Sequence, residues 1–151
     1  MIRRRDVVVA VFVAVFAMAG TLGGVAAVDA GKTVIGSSVY DVFRMTPRPT
    51  KVGNVRQVLN GPTATLENLE MHVTTLNPGE EPHPPHKHPN EEMLIIREGE
   101  LETLSNGEWK RVGPGGVIFN ASNVMHGLRN VGTTPAVYHV INWKTAATPA
   151  K

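Results

Sequence analysis

The segment G-E-E-P-H-P-P-H-K-H-P-N-E-E-M-L-I-I-R-E-G, residues 79–99, decides how this chain is read. His86 and His88 stand two apart, so on an extended backbone their imidazoles leave the same face. Glu92 follows four residues after His88, past a short Pro89-Asn90 turn, and opens an apolar run that reads as a strand. A second cluster, G-P-G-G-V-I-F-N-A-S-N-V-M-H-G-L-R-N at residues 113–130, places His126 on a later strand, expected in the same wall as Glu92. Three neutral imidazoles and one carboxylate suit a first-row divalent metal, with coordination positions left for water or substrate.

Together the two segments resemble the motifs of the cupin superfamily. The first cupin motif, G-x(5-6)-H-x-H-x(3,4)-E-x6-G, falls on Gly79, His86, His88, Glu92 and Gly99. The second, G-x5-P-x-G-x2-H-x3-N, falls on Gly115, Ala121, Asn123, His126 and Asn130. Ala121 replaces the family's proline and Asn123 its glycine; Asn tolerates the left-handed backbone better than most residues, so a turn at Asn123 can survive. The wording P-P-H-K-H-P-x-x-E is closest to the germin-like branch. The resemblance spans residues 79–130 and implies a single-domain, type-2-like cupin. It implies an all-β, antiparallel jelly-roll barrel (a double-stranded β-helix) holding one divalent ion on His86, His88, Glu92 and His126. Mn, Fe, Ni, Co and Zn all accept that ligand set.

Working outward, the pattern between turns is that of short strands. Residues 67–76 alternate, with Leu69, Met71 and Val73 on one face and Glu70, His72 and Thr74 on the other. Alternation alone does not say which face is inside. Residues 93–98 are apolar on both faces. If Glu92 points to a metal, Leu94 and Ile96 share its inward face, and the outward Met93 and Ile95 need a second sheet or a second subunit to cover them. Asn106-Gly107 signals a two-residue hairpin. With 55–59, 101–104, 109–112, 117–120, 125–130 and 136–143 this makes about eight strands, the count of a jelly roll.

The three remaining histidines read less sharply. His83, in the Pro-rich loop, is an exposed loop residue or lines the barrel mouth. His72 is a pocket residue if its face is inward and solvated if outward. His139 shares a face with Val137 and Ile141 and reads as a packed or metal-supporting imidazole. No carboxylate pair or nucleophile–base arrangement stands out as catalytic.

The chain of 151 residues suits one domain with a real core. Residues 1–27 read as a signal peptide: Arg3-Arg4-Arg5, an apolar core from Val7 to Met18, then small residues that fit cleavage after Ala27 or Ala30. The alternative is an uncleaved membrane anchor, because no charge occurs from Val7 to Val28. The expected destination is the periplasm or the exterior, or the membrane if the anchor stays. Residues 28–54 read as an arm, with Val39–Phe43 a possible edge strand, residues 55–143 as the barrel, and 144–151 as a flexible tail. The formal net charge of +2 comes largely from the N-terminal arginines; without those three and Asp6, the 15 basic and 13 acidic residues come into balance. Basic residues form no run with interleaved aromatics, so nucleic acid is not an expected partner. No cysteine is present, which excludes disulfides and thiolate chemistry. Two functions are compatible with these residues. One is a metal-dependent enzyme, of dioxygenase or isomerase/lyase type, acting on a small oxygen-bearing molecule. The other is a non-catalytic binder or sensor of a small molecule. A homodimer is expected in either case.

Overall fold

The computed structural model describes residues 33–150. The segment read as export signal or anchor lies outside them. Among the described residues no helix is long and apolar enough to cross a membrane.

Nine strands follow in chain order: β1 (Arg48–Thr50), β2 (Gly53–Gly61), β3 (Asn68–Leu76), β4 (Glu91–Glu98), β5 (Leu101–Ser105), β6 (Glu108–Val112), β7 (Val117–Asn120), β8 (Gly127–Asn130) and β9 (Ala136–Lys144). All pairings are antiparallel. They build a six-stranded sheet in the order β1-β2-β3-β9-β4-β7 and a three-stranded sheet in the order β6-β5-β8. The all-β, antiparallel jelly-roll expectation holds.

Leu76, Leu94, Ile96, Ile118, Ala136, Tyr138 and Val140 of the large sheet meet Leu101 and Leu128 of the small one in a single buried cluster. Each aliphatic side chain fully removed from water contributes about 1.5–3 kcal/mol, so this layer dominates the stabilisation of the barrel. Period-2 alternation then assigns the faces. Val140 and Tyr138 are inward, so Val137, His139 and Ile141 are outward.

Local chemistry closes the turns. Asn106 (φ 52°) and Gly107 (φ 83°) both adopt positive φ, the requirement of the tight turn joining β5 to β6. Gly99 has φ 87°, and a Cβ there would lie 2.6 Å from Ala136 Cα, so only glycine fits between β4 and the start of β9. Asn123 adopts φ 58°, the left-handed turn its sequence position called for.

Three expectations are corrected. Val39–Phe43 contributes no edge strand; Val42–Arg44 is instead a 3₁₀ turn. Val42 packs on Val58, Val73 and Val137 on the outer face of the large sheet, and a 3₁₀ turn delivers it there. Phe43 takes the Arg97 guanidinium over its ring at 3.7 Å, and Arg56 Nε donates to the Met45 carbonyl at 3.1 Å, so this part of the arm is fastened to the barrel. Secondly, residues 48–50 do pair, as edge strand β1, where Pro49 opposite Asn54 costs no interior hydrogen bond. Thirdly, His126 does not come from the wall that carries Glu92. It precedes β8 in the small sheet, while β4 belongs to the large one. The period-2 pattern of residues 125–130 marks a strand but carries no information about which sheet takes it.

Candidate metal centre

The first motif spans the two sheets. After β3, the chain crosses along β8: Gly79 N–H donates to the Asn130 carbonyl at 3.0 Å and Asn130 N–H to the Glu80 carbonyl at 2.9 Å. His86 and His126 then form an isolated antiparallel bridge with both backbone bonds at 2.9 Å. That bridge sets their side chains against each other, with ring centroids 4.6 Å apart. The loop of the second motif is pinned beneath: Asn123 N–H donates to the His88 carbonyl at 2.8 Å and Ser122 Oγ to the Pro89 carbonyl at 2.6 Å.

The His86, His88 and His126 ring nitrogens converge, each histidine offering one atom within 4.8 Å of the others'. Glu92, at the start of β4, brings Oε2 to 3.9 Å from His88 Nε2 and Oε1 to 3.9 Å from His126 Nε2. Asn120 on β7, opposite Glu92 in the ladder, donates Nδ2–H to Glu92 Oε1 at 3.0 Å and sets the carboxylate's orientation.

The tautomers follow from the partners. His88 Nδ1 faces the Asn90 carbonyl at 2.8 Å and His126 Nδ1 the Val124 carbonyl at 2.9 Å. A carbonyl only accepts, so both Nδ1 atoms carry the proton and both Nε2 atoms keep a lone pair. This is the outer arrangement that orients metal-ligating imidazoles. His126 Nε2 and His86 Nδ1 are buried with no hydrogen-bond partner, a cost that a bound ion would remove. Burial, with the neighbouring His83, His126 and His88 imidazoles adding to it, holds His86 below the usual histidine range, so it stays neutral and able to ligate. The donor set and its unpartnered nitrogens fit a divalent ion.

Beside this cluster lies a cavity of about 230 Å³. Its polar lining comes from His72, Thr74, Glu92, Thr103, Asn120, His126 and Tyr138, and Leu94, Leu128 and Val140 supply apolar surface. The open question about β3 is thereby answered: its polar face is the inner one. His72 Nδ1 lies 2.8 Å from Glu70 Oε1. Burial drives the Tyr138 phenol well above its ordinary range, with a Thr74 hydrogen bond opposing and the Glu92 charge adding, so it stays protonated. His83 reaches the cavity mouth from its exposed loop and packs edge-on against His86 with centroids 4.2 Å apart. His139 lies outside the chamber; its ladder neighbours are Val73 and Ile95 on the outer face.

Sequence reading missed one feature of the site. Asn60, Glu70, Asn142, Glu92 and Asn120 occupy one row across β2, β3, β9, β4 and β7. Each is unremarkable in its own strand, and only the register puts them side by side. The weak signal available was a polar residue at an inward position, as at Asn120 in 117–120.

Residues 72–142 match the family described as cupin domain. No curated protein sequence matches the chain. Among solved structures, KdgF from Halomonas sp. superposes with a TM-score of 0.60 at 17% identity, over 74% of this chain and 97% of that one. The polyketide cyclase RemF from Streptomyces resistomycificus gives 0.58 at 18% identity, over 72% and 80%. The cupin domain of an XRE family transcriptional regulator from Enterobacter cloacae gives 0.50 at 24% identity, over 58% and 92%. At these identities the likeness is one of fold.

Proposed function

The chain belongs to the cupin superfamily, and from that premise we propose that it is a metal-dependent enzyme acting on a small oxygen-bearing organic molecule. The observation that carries this reading is the partnerless, buried His126 Nε2 facing a chamber that also contains ionisable side chains. A binder or sensor needs shape and a few polar anchors, whereas His72, on the same cavity and outside the ion-holding set, equips it to move protons. Pockets for drug-sized ligands run to about 300–1,000 Å³, so a cavity of about 230 Å³ restricts the ligand to a small molecule.

His86, His88, His126 and Glu92 would hold the ion. When bound, a divalent ion supplies a Lewis acid that stabilises negative charge on a ligated oxygen and lowers the pKa of bound water. The chain does the rest. The Asn90 and Val124 carbonyls orient His88 and His126, and Asn120 orients Glu92. Leu94, Leu128 and Val140 exclude bulk water, and Tyr138 and Thr74 offer hydrogen bonds to a polar ligand.

The proposal extends to export, supported by the N-terminal n-region and apolar core. It extends also to a homodimer, supported by an uncovered apolar face described below. Elemental analysis of the purified protein tests the metal; about one first-row ion per chain is expected, and metal-free protein after growth in metal-replete medium would overturn the reading. Oxygen-uptake and isomerisation assays across small organic acids and phenols test the enzyme. Tight binding of such a molecule without turnover would transfer the reading to a binding protein.

A further inference from the structure

One half-buried pair is not needed to hold an ion: His72, which lines the chamber, and Glu70, which lines the neighbouring groove. Glu70 on β3 is surrounded by donors: His72 Nδ1 at 2.8 Å and Gln57 Nε2 on Oε1, and Asn142 Nδ2 at 2.7 Å on Oε2. Burial alone would raise this carboxyl's pKa, but the His72 and Gln57 bonds, with Asn142 adding to them, bring it below the usual range and keep it ionised. An ionised carboxylate only accepts, so His72 Nδ1 carries a proton and Nε2 is left as its acceptor. Because Nδ1 is taken, only Nε2 can serve the cavity that His72 lines together with Glu92 and His126.

We propose that His72, positioned by Glu70, is the proton-accepting side chain of this site, and that the molecule it serves is a carbon acid, an α-hydroxy- or α-oxo-carbonyl compound. This rests on the metal-centre reading above and, of the dioxygenase and isomerase/lyase types open to it, selects proton transfer. With the carbonyl oxygen at the histidine cluster, the C–H bond beside it breaks. Its electron pair forms a C=C bond as the carbonyl becomes an enolate oxygen, and the proton passes to His72 Nε2. Glu70 balances the imidazolium that results. Returning the proton to the adjacent carbon of an enediolate, while the hydroxyl proton on the first carbon passes to the former carbonyl oxygen, gives an isomer; returning it to the first carbon gives exchange with solvent. Both cycles close without oxidant or reductant.

The other groups facing His72 do not substitute for it. Tyr138 on β9 remains protonated. Glu92 and His126 belong to the centre. His83 sits on an exposed loop with only the Pro84 carbonyl at 3.3 Å beside Nδ1, and Arg48 of β1 lines the outer groove shared with Glu70 and His72. A carboxylate-oriented imidazole within the chamber occurs once among the described residues, at Glu70–His72.

The test uses the zinc-loaded chain with ¹⁵N-labelled histidine and two probes, dihydroxyacetone and hydroxypyruvate, in D₂O. Zinc content, two-bond ¹H–¹⁵N spectra and deuterium uptake at the probes' carbon are read on the same samples. The expected result is about one zinc per chain in the wild type and in His72→Gln, with His72 in the Nδ1–H tautomer. Exchange should rise above buffer in the wild type and fall about a hundredfold in His72→Gln. Glu70→Leu should keep zinc, lose the single tautomer and lose about tenfold in exchange, as expected of a positioning residue. The proposal is overturned by equal exchange in His72→Gln, by an Nε2–H tautomer, by zinc on His72 Nε2, or by wild-type protein that exchanges neither probe. Absence of zinc from the wild type would overturn the metal centre itself, a failure visible in the metal content before any exchange is measured.

Discussion

His126 shows how little a single residue determines by itself. Its Nε2 is free to ligate an ion only because Nδ1–H donates to the Val124 carbonyl and the backbone bridge to His86 aims Nε2 inward. Replacing His88 or His126 with Ala should abolish stoichiometric metal while circular dichroism remains that of the folded barrel, because the buried cluster between the sheets contains neither residue. Full metal occupancy in the His126→Ala protein would show that another group supplies that position. Glu70 makes a pH prediction. Its folded pKa lies below its ordinary value of 4.5. The unfolded chain therefore binds the proton more readily, and the stability Glu70 contributes is present above about pH 4.5 and lost as pH falls through the lower folded value. Urea midpoints of metal-free protein at pH 7 and in acid should converge in Glu70→Gln relative to wild type. An unchanged gap would show that the carboxylate's charge is not what its three donors stabilise.

Elements here are defined by how they end as much as by how they pair. β4 stops at Gly99 because the positive φ and the 2.6 Å approach to Ala136 leave no room for a side chain. Gly99→Ala adds backbone strain to a steric clash and should destabilise the barrel by about 2–4 kcal/mol, read from a urea titration. A loss under half a kcal/mol would mean that β9 moves aside freely. The second motif retains its turn without the family's proline and glycine because Asn123 adopts left-handed φ, and Ser122 ties the loop to Pro89. Asn130 ends β8 as a buried clamp, donating to the Leu76 and Thr134 carbonyls at 3.0 and 2.9 Å and accepting from Gly132 N–H at 3.0 Å. That residue joins the motif to β3 rather than to the metal.

On the scale of the described barrel, the outer face of the large sheet is covered unevenly. The arm's Val42 packs over Val58, Val73 and Val137, but among the described residues nothing covers Ile95, Val117 and Phe119, which are 37%, 59% and 51% exposed. They are contiguous across β4 and the edge strand β7, and Phe119 stacks on Trp143 with centroids 6.3 Å apart. An edge strand with an apolar face is a standing invitation to association unless a partner covers it. Light scattering should return a dimer at micromolar concentration, and Val117→Glu with Phe119→Glu should shift it toward monomer with metal content unchanged. A wild-type monomer would remove the prediction.

The sequence alone determined the fold and the candidate ligands, because both are written in short range. Two histidines at i and i+2 must share a face on extended backbone, Asn106-Gly107 and Gly99 must turn, and regularly spaced apolar runs must pack as two sheets. Tertiary structure decided what depends on register and on which strands become neighbours. It turned the Glu70, His72 and Thr74 face inward, joined Glu70 to Asn142 across 72 residues of chain, brought His126 from the small sheet rather than the wall of Glu92, and sent His139 outward. Alternation has only two phases and no origin, so a strand's pattern tells which residues travel together but never which side they meet; that is settled when the partner strand arrives.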